Sequence, residues 1–444
     1  MLEYFYDPVL RAPTIGSMLM CLGSSLVGVL AFLRKASLVG ESLSHAAYPG
    51  VILGAIASGL LAPIDSGDLF FSASILAGAF LTAVLGVWSI FFLQRKLKIR
   101  PDSALCFVLA SFFGFGILLA SRVQMTHATL YVQSLSYLYG QAASMTDRHI
   151  WLYAALSLVI IVALIFLYKE LLVIAFDADY ARSLGIAVRT IDALLFLLIA
   201  LAVVTGIRSV GVVMMSAMLI APAVTARQFT HSLYKMLILA GFFGLLSAYL
   251  GNVLSIEGTR MLLAANPGQR IALPTGPMIV LAASFFAVFA LLFSKERGLV
   301  FRYFRKLKFR GVCLKENILK ALWRFGPDGQ IVHMWQIASL HAASPLFIRM
   351  ILFRLRMGGW IEKKSEGWNL TSDGKKKAAH IVRLHRLWEL YLADYLGIGA
   401  AKVHKSAEQM EHILTPEIEK ELSVLLHDPK FDPHYQPIPP MEGQ

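Results

Sequence analysis

The chain has 444 residues, enough for two or three domains, and 57% of them are hydrophobic, well above the apolar share of a soluble protein. With a mean hydropathy of +0.64, that composition excludes a wholly soluble protein and puts most of the chain in lipid. The formal net charge of +13 fits charge-oriented membrane helices together with a soluble part suited to a polyanionic partner. Residues 1–294 carry 17 Lys+Arg against 12 Asp+Glu, and residues 295–444 carry 24 against 16 in half the length, so a boundary falls near Ser294. Cys21, Cys106 and Cys313 are far apart and lack metal-motif spacing, which implies free packing thiols rather than a disulfide framework. The opening MLEYFYDPVLRAP is acidic and aromatic, so the first apolar run is expected to be a retained span rather than a cleaved signal.

Apolar runs long enough to cross a hydrocarbon core of about 30 Å fall at 14–33, 46–63, 69–93, 102–120, 150–168, 190–206, 209–226, 234–256 and 275–294. With the N-terminus outside, eleven basic residues, Arg34 and Lys35 through Lys235, face the cytoplasm. Six face outward: Arg11, Arg122, Arg148, Arg208, Arg260 and Arg270. That is the asymmetry the positive-inside rule requires, and nine crossings leave residue 294 and everything after it in the cytoplasm. After the first span comes Gly40-Glu41-Ser42-Leu43-Ser44-His45. If the second helix starts early, Glu41 and His45 lie one turn apart on one face and can offer oxygen and nitrogen to a divalent metal on a transport path. An interfacial ion pair is the alternative. Between the fifth and sixth spans, Phe176 to Gly185 predicts a short amphipathic surface helix with Asp177 as N-cap and Gly185 as C-cap.

These segments resemble the permease subunits of ATP-binding-cassette importers for manganese, zinc and iron, over about residues 5–295. The resemblance rests on Gly40 to Gly50, Leu138-Tyr139-Gly140, Phe176 to Gly185, Val210-Gly211 with Ser216 to Ala223, and Leu273 to Pro277. Such permeases usually have Asp where this chain has Glu41. The resemblance implies that Asp177, Asp179, Arg182 and Gly185 lie in the stretch that couples to a separate ATPase, and that Glu41 and His45 belong to the metal path. It further implies an extracytoplasmic metal-binding protein and a second permease subunit, identical or different, in a bacterial inner membrane. No G-x-x-x-x-G-K-[ST] loop occurs, so the chain is expected to be a transport subunit rather than an enzyme, with ATP hydrolysis left to its partner.

Residues 295–310 hold seven basic residues interleaved with aromatics, which suits a belt lying on anionic membrane lipid; an exposed site for proteolytic release is the rival. Helices are then expected at 314–325, 333–342 and 344–357, followed by a two-stranded ribbon over Gly359 to Thr371. Together they make a winged helix-turn-helix. Its third helix starts at Ser344 and Pro345 and carries Arg349 and Arg354, with Lys363 and Lys364 in the wing, all suited to the phosphates of operator DNA. A degenerate module used only for protein contacts is the alternative. A long helix at 375–396 sets His385 and Glu389 at i and i+4. A following helix at 401–412 sets His404, Glu408, Glu411 and His412 within a stripe about 100° wide. This mixed nitrogen and oxygen set suits Mn(II), Fe(II), Co(II) or Zn(II); the bland reading is a solvated charged face.

The same residues resemble the diphtheria toxin repressor family of metal-dependent regulators over about 314–440. The segments are Gly367 to Thr371, Ile381 to Glu389, Val403 to His412 and Asp432 to Pro439. The resemblance implies one metal site from His385, Glu389 and His404, and most of a second from Glu408, Glu411 and His412. The first helix departs from the family: Asn317 stands where a Met or Asp ligand is usual, and Lys320 where the manganese branch has Glu. The expected fold is therefore an all-α polytopic membrane domain of about nine transmembrane helices (1–294) and a basic juxtamembrane linker (295–313). An α+β winged helix-turn-helix domain (314–374) and a helical metal-binding and dimerisation domain (375–444) follow. The expected function is metal import, with Mn, Fe or Zn as substrate and as corepressor, and a tail released by cleavage between about 295 and 313. Two rivals stay open: a tail that gates the pore as a metal sensor without touching DNA, and a secondary transporter with a structural tail.

Overall fold

The structure is a computed structural model. It describes residues 3–61, 68–140, 142–266, 272–326, 331–340, 343–364, 367–397, 410, 412 and 414–440, which divide into a unit at Met1–Phe301 and a unit at Arg302–Gln444.

The first unit is helical throughout: α1 (Glu3–Tyr6), α2 (Pro8–Leu33), α3 (Ser37–Leu61), α4 (Asp68–Arg95), α5 (Pro101–Thr126), α6 (Ala128–Tyr139), α7 (Asp147–Phe166), α8 (Tyr168–Phe176), α9 (Ala178–Ser183), α10 (Val188–Val210), α11 (Met215–Phe229), α12 (Leu233–Ala265) and α13 (Thr275–Phe293). Among the described residues, seven helices are long and apolar enough to cross a membrane: α2, α4, α5, α7, α10, α12 and α13. The other two of the nine expected crossings fall on α3 and α11. Helix α11 has only 15 residues and an internal Pro222, and α3 opens with the polar residues Glu41, Ser42, Ser44 and His45. Helix α2 is the most buried of the seven, with α7, α10, α11 and α12 packed around it.

Small residues set how closely the helices approach, because in lipid the packing gain comes from backbone proximity rather than from water release. A Cβ at Gly50 of α3 would lie 2.1 Å from the Gly78 carbonyl oxygen of α4, so that pair packs backbone to backbone. The chain ends of α6 and α10 also cross backbone to backbone. Gly140 (φ 78) and Gly211 (φ 93) both occupy the left-handed region, where a side chain is strained. A Cβ on Gly211 would also lie 2.5 Å from the Tyr139 carbonyl carbon. Val212 N–H donates to the Tyr137 carbonyl at 3.1 Å, and Ala142 N–H to the Thr275 hydroxyl of α13 at 2.9 Å. Three sequence segments more than 130 residues apart end to end thus meet at one backbone crossing.

The chain enters the second unit within α14 (Leu299–Phe325), which begins 15 residues before the expected 314 and takes in most of the basic stretch. Helices α15 (Met334–Leu340) and α16 (Pro345–Met357) follow, then an antiparallel ribbon of β1 (Ile361–Lys364) and β2 (Gly367–Leu370) in the register Ile361 to Leu370. Helix α17 (Ser372–Asp394) and helix α18 (Pro416–Leu425) follow among the described residues. The core draws on Leu314, Ile318 and Leu322 of α14, Ile337 of α15, and Ile348, Ile351, Leu352 and Leu355 of α16. The α16 residues recur at i, i+3, i+4 and i+7, one stripe of an amphipathic helix. Its remaining apolar residues face outward, with Leu346 80% and Phe353 61% exposed. Thr371 caps α17 by accepting from Gly374 N–H at 3.0 Å, and Leu387 of α17 packs against Leu426 and Ile438.

Candidate metal-handling sites

In the membrane unit α3 starts at Ser37, early enough to bring Glu41 and His45 one turn apart on the helix, as the spacing requires. Both are half-buried. The His45 ring meets Phe113 of α5 edge-on, with centroids 4.6 Å apart, and its Nδ1 is buried without a hydrogen-bond partner among the described residues. Ser42 and Ser44 spend their hydroxyls on the Leu105 and Glu41 carbonyls at 3.0 and 2.9 Å, which leaves the carboxylate and the imidazole as the polar groups of this turn. An unpaired imidazole nitrogen inside a protein costs free energy unless something transient fills its place.

At α9, Asp177 caps the helix: its Oδ1 accepts from the N–H groups of Asp179 and Tyr180 at 2.9 and 3.0 Å. The far end closes with Ile186 N–H donating to the Ala181 carbonyl and Gly185 N–H to that of Arg182, the bond pair of a Schellman ending, with Gly185 at φ 78. Asp179 and Arg182 pair along the exposed side. Phe176 (74%) and Tyr180 (57%) stand in the open beside them.

One cluster escaped the sequence reading. Arg208, expected in an outer loop, sits buried in the last turn of α10. Its Nη1 donates to the Tyr137 hydroxyl at 3.2 Å and lies 3.1 Å from His149 Nε2, and it also bonds Ser72. An isolated arginine between two apolar runs was the available signal.

In the tail, His385 and Glu389 are both buried on α17, with Nε2 and Oε1 3.3 Å apart. They line a cleft of about 1170 Å³ with Asn317, Lys320, Asp432 and His434. Asn317 Oδ1 is buried with no partner among the described residues, an orphaned acceptor that fits a bound cation or water. His412 Nδ1 lies 2.6 Å from Glu316 Oε2 of α14, a contact the sequence did not disclose. Lys315, next along, holds its ammonium 3.6 Å above the Trp360 ring, and burial lowers its pKa. The expected ligands His404, Glu408 and Glu411 lie outside the described residues, and among the described residues no three His, Cys, Asp or Glu side chains converge. Around the expected ligands the described residues supply two nitrogen and oxygen pairs, His385 with Glu389 and His412 with Glu316.

On the DNA side, Ser344 caps α16 by accepting from Phe347 N–H at 3.4 Å, ahead of Pro345. Arg349, Arg354, Lys363 and Lys364 are exposed, with Lys364 paired to Glu362 at 3.1 Å.

Residues 6–294 match the ABC 3 transport family, and residues 371–440 match the iron dependent repressor, metal binding and dimerisation domain. The chain belongs to the ABC 3 transport family. It is 36% identical over 441 residues to a probable metal transport system membrane protein of Chlamydia trachomatis serovar D, spanning 98% of this chain and 97% of the relative. It is 35% identical over 379 residues to the manganese transport system membrane protein MntC of Bacillus subtilis, 85% of this chain and 82% of that one. Among solved structures, PsaBC from Streptococcus pneumoniae in complex with Fab superposes with a TM-score of 0.56 at 25% identity, over 69% of this chain and 97% of that chain. This ABC 3 chain is therefore a multi-pass membrane protein in which a metal transport permease domain is joined to a C-terminal iron-dependent repressor domain.

Proposed function

We propose that this chain is the permease subunit of an importer for a divalent first-row metal, with manganese first and zinc or iron next, and that its tail reports the same metal to a promoter. A separate ATPase docks at α8 and α9, an extracytoplasmic binding protein delivers the ion, and a second permease subunit completes the pore. The tail lies in the cytoplasm of a bacterial cell, binds metal through His385, Glu389, His404, Glu408, Glu411 and His412, and grips operator DNA with α16 and the ribbon. Release by cleavage frees it to reach the chromosome.

The observation that carries the transport reading is the Glu41 and His45 pair on α3, with a buried His45 nitrogen that no group among the described residues satisfies. Carboxylate and imidazole donors suit Mn(II), Fe(II) and Zn(II) over thiophilic ions, and ionisable groups inside a membrane bundle mark an ion path. Uptake of Mn(II) by cells expressing the chain with its ATPase tests it. Glu41→Ala and His45→Ala each lower uptake at least about tenfold, the scale of losing a metal-site interaction, whereas Glu41→Asp retains transport. Wild-type uptake by Glu41→Ala refutes the pathway. For the tail, metal-dependent protection of an operator fragment supports the repressor, and its absence supports a cytoplasmic gate.

A further inference from the structure

We infer that Glu316, rather than Asn317, is the side chain α14 contributes to the tail's metal site beside His412; the inference rests on the metal-sensing reading above. Consecutive residues of a helix point about 100° apart, so Glu316 and Asn317 cannot serve one ion equally. The structure separates them. Glu316 Oε2 lies 2.6 Å from His412 Nδ1, with the two side chains 24% and 3% exposed, while Asn317 lines the cleft of His385 and Glu389.

The chemistry favours the same residue. A divalent ion needs negative charge among its donors, and a carboxylate supplies it where the neutral amide oxygen of Asn317 does not. Two donors each about 2.1 Å from one ion, at right angles, stand about 3.0 Å apart. The observed contact therefore has to open by only a few tenths of an ångström, a small rotation of one side chain, to admit the ion along an edge of its coordination shell. The position also gives the ion leverage. Leu314, Ile318 and Leu322 on α14 pack with Ile348, Ile351 and Leu355 of α16, so a ligand on α14 connects the bound ion to the helix that carries Arg349 and Arg354. Lys320, one turn beyond Glu316, is then a bystander to this ion.

The test uses the full chain in lipid nanodiscs, with Mn(II) binding measured by equilibrium dialysis. Glu316→Gln lowers the affinity of one Mn(II) per chain by at least tenfold and Glu316→Asp restores most of it, while Asn317→Ala leaves that ion's affinity at the wild-type value whatever it does to binding in the His385 and Glu389 cleft. Glu316→Cys provides a direct signature: Cd(II) then produces a thiolate-to-metal absorption band beyond that of the wild-type chain with its three native cysteines. Circular dichroism melting shows that each variant is folded, and the Cd(II) band of Glu316→Cys decides the matter if Glu316→Gln unfolds. Undiminished Mn(II) binding by Glu316→Gln, or no added band for Glu316→Cys, overturns the assignment of Glu316 alone. If the wild-type chain binds no Mn(II) beyond what Glu41→Ala with His45→Ala removes, the sensing reading falls with it.

Discussion

Arg383 holds the end of the tail together through three bonds. Its Nε reaches Glu419 Oε1 of α18 at 3.1 Å, one Nη donates to the Pro439 carbonyl at 2.8 Å, and the other donates to the Ser423 hydroxyl at 2.9 Å. Both charged side chains are under a tenth exposed, so removing one leaves the other desolvated and uncompensated, apart from His380 at 3.6 Å. We predict that Arg383→Ala destabilises the tail by about 3–5 kcal/mol, measured by chemical denaturation, whereas the paired apolar change Arg383→Met with Glu419→Leu costs far less. Equal losses in the two variants would show that packing rather than the charge pair sets the stability. Glycine positions make a second contrast at this scale. Gly211→Ala meets both a left-handed φ and a backbone carbonyl carbon 2.5 Å away. Gly185→Ala has the same φ class but nothing within 4 Å. Backbone strain alone costs about 1–3 kcal/mol; Gly211→Ala is expected to exceed that and collapse the yield of monodisperse protein in detergent. Gly185→Ala should lower the melting temperature by only a few degrees.

At the scale of elements, α9 is a six-residue helix, too short to persist without its caps. Asp177→Ala removes the side chain that satisfies two N–H groups at its start, a loss of about 1 kcal/mol, and the expected outcome is Mn(II) uptake reduced several-fold with the chain still present in the membrane. Normal uptake would mean that α9 is not where the ATPase pushes. Helix α16 gives a different readout. Each of Arg349→Ala and Arg354→Ala should reduce the salt dependence of operator binding by about one phosphate contact, a slope change near 0.9. An unchanged slope would remove that arginine from the interface. The caps of α9, the Ser344 start of α16 and the ribbon were legible because each has a local signal, a short polar side chain, a proline or an alternation, that needs no knowledge of the rest of the chain. Glu41 and His45 were legible for the same reason: their spacing is a property of one helix. What the sequence hid are partnerships across long separations. Arg208 with Ser72 and His149, Glu316 with His412, and Arg383 with Glu419 are set by packing and have no period to detect. The start of α14 at Leu299 did leave a signal, since Val300, Phe304, Leu307 and Leu314 recur at helical spacing among the basic residues, and the density of Lys and Arg concealed it.

For the whole molecule, the question is how a regulator tethered to a membrane reaches DNA, and the position of regular structure narrows where release can occur. A protease needs an extended backbone in its cleft, so a hydrogen-bonded helix is a poor substrate and an exposed turn a good one. Helix α13 ends at Phe293 and α14 begins at Leu299, and between them Lys295, Glu296 and Arg297 form a turn with exposed side chains. Of the 295–313 window, only this turn and Gly298 precede α14. Cutting further on would break helical hydrogen bonds, and near Leu314 it would reach residues that build the tail's own core. Cleavage at the turn instead leaves α14 whole, together with Glu316 and its basic first half. The prediction is a C-terminal fragment whose first residue falls between 295 and 299, found by N-terminal sequencing of material captured with an antibody to the C-terminus. Replacing the turn with Ala-Ala-Ala, which favours helix, should diminish the fragment and relieve repression while Mn(II) uptake continues. If only the 49.0 kDa chain is detected in cells with ample metal, the tail acts without release, and repression that persists in those cells requires the promoter to come to the membrane.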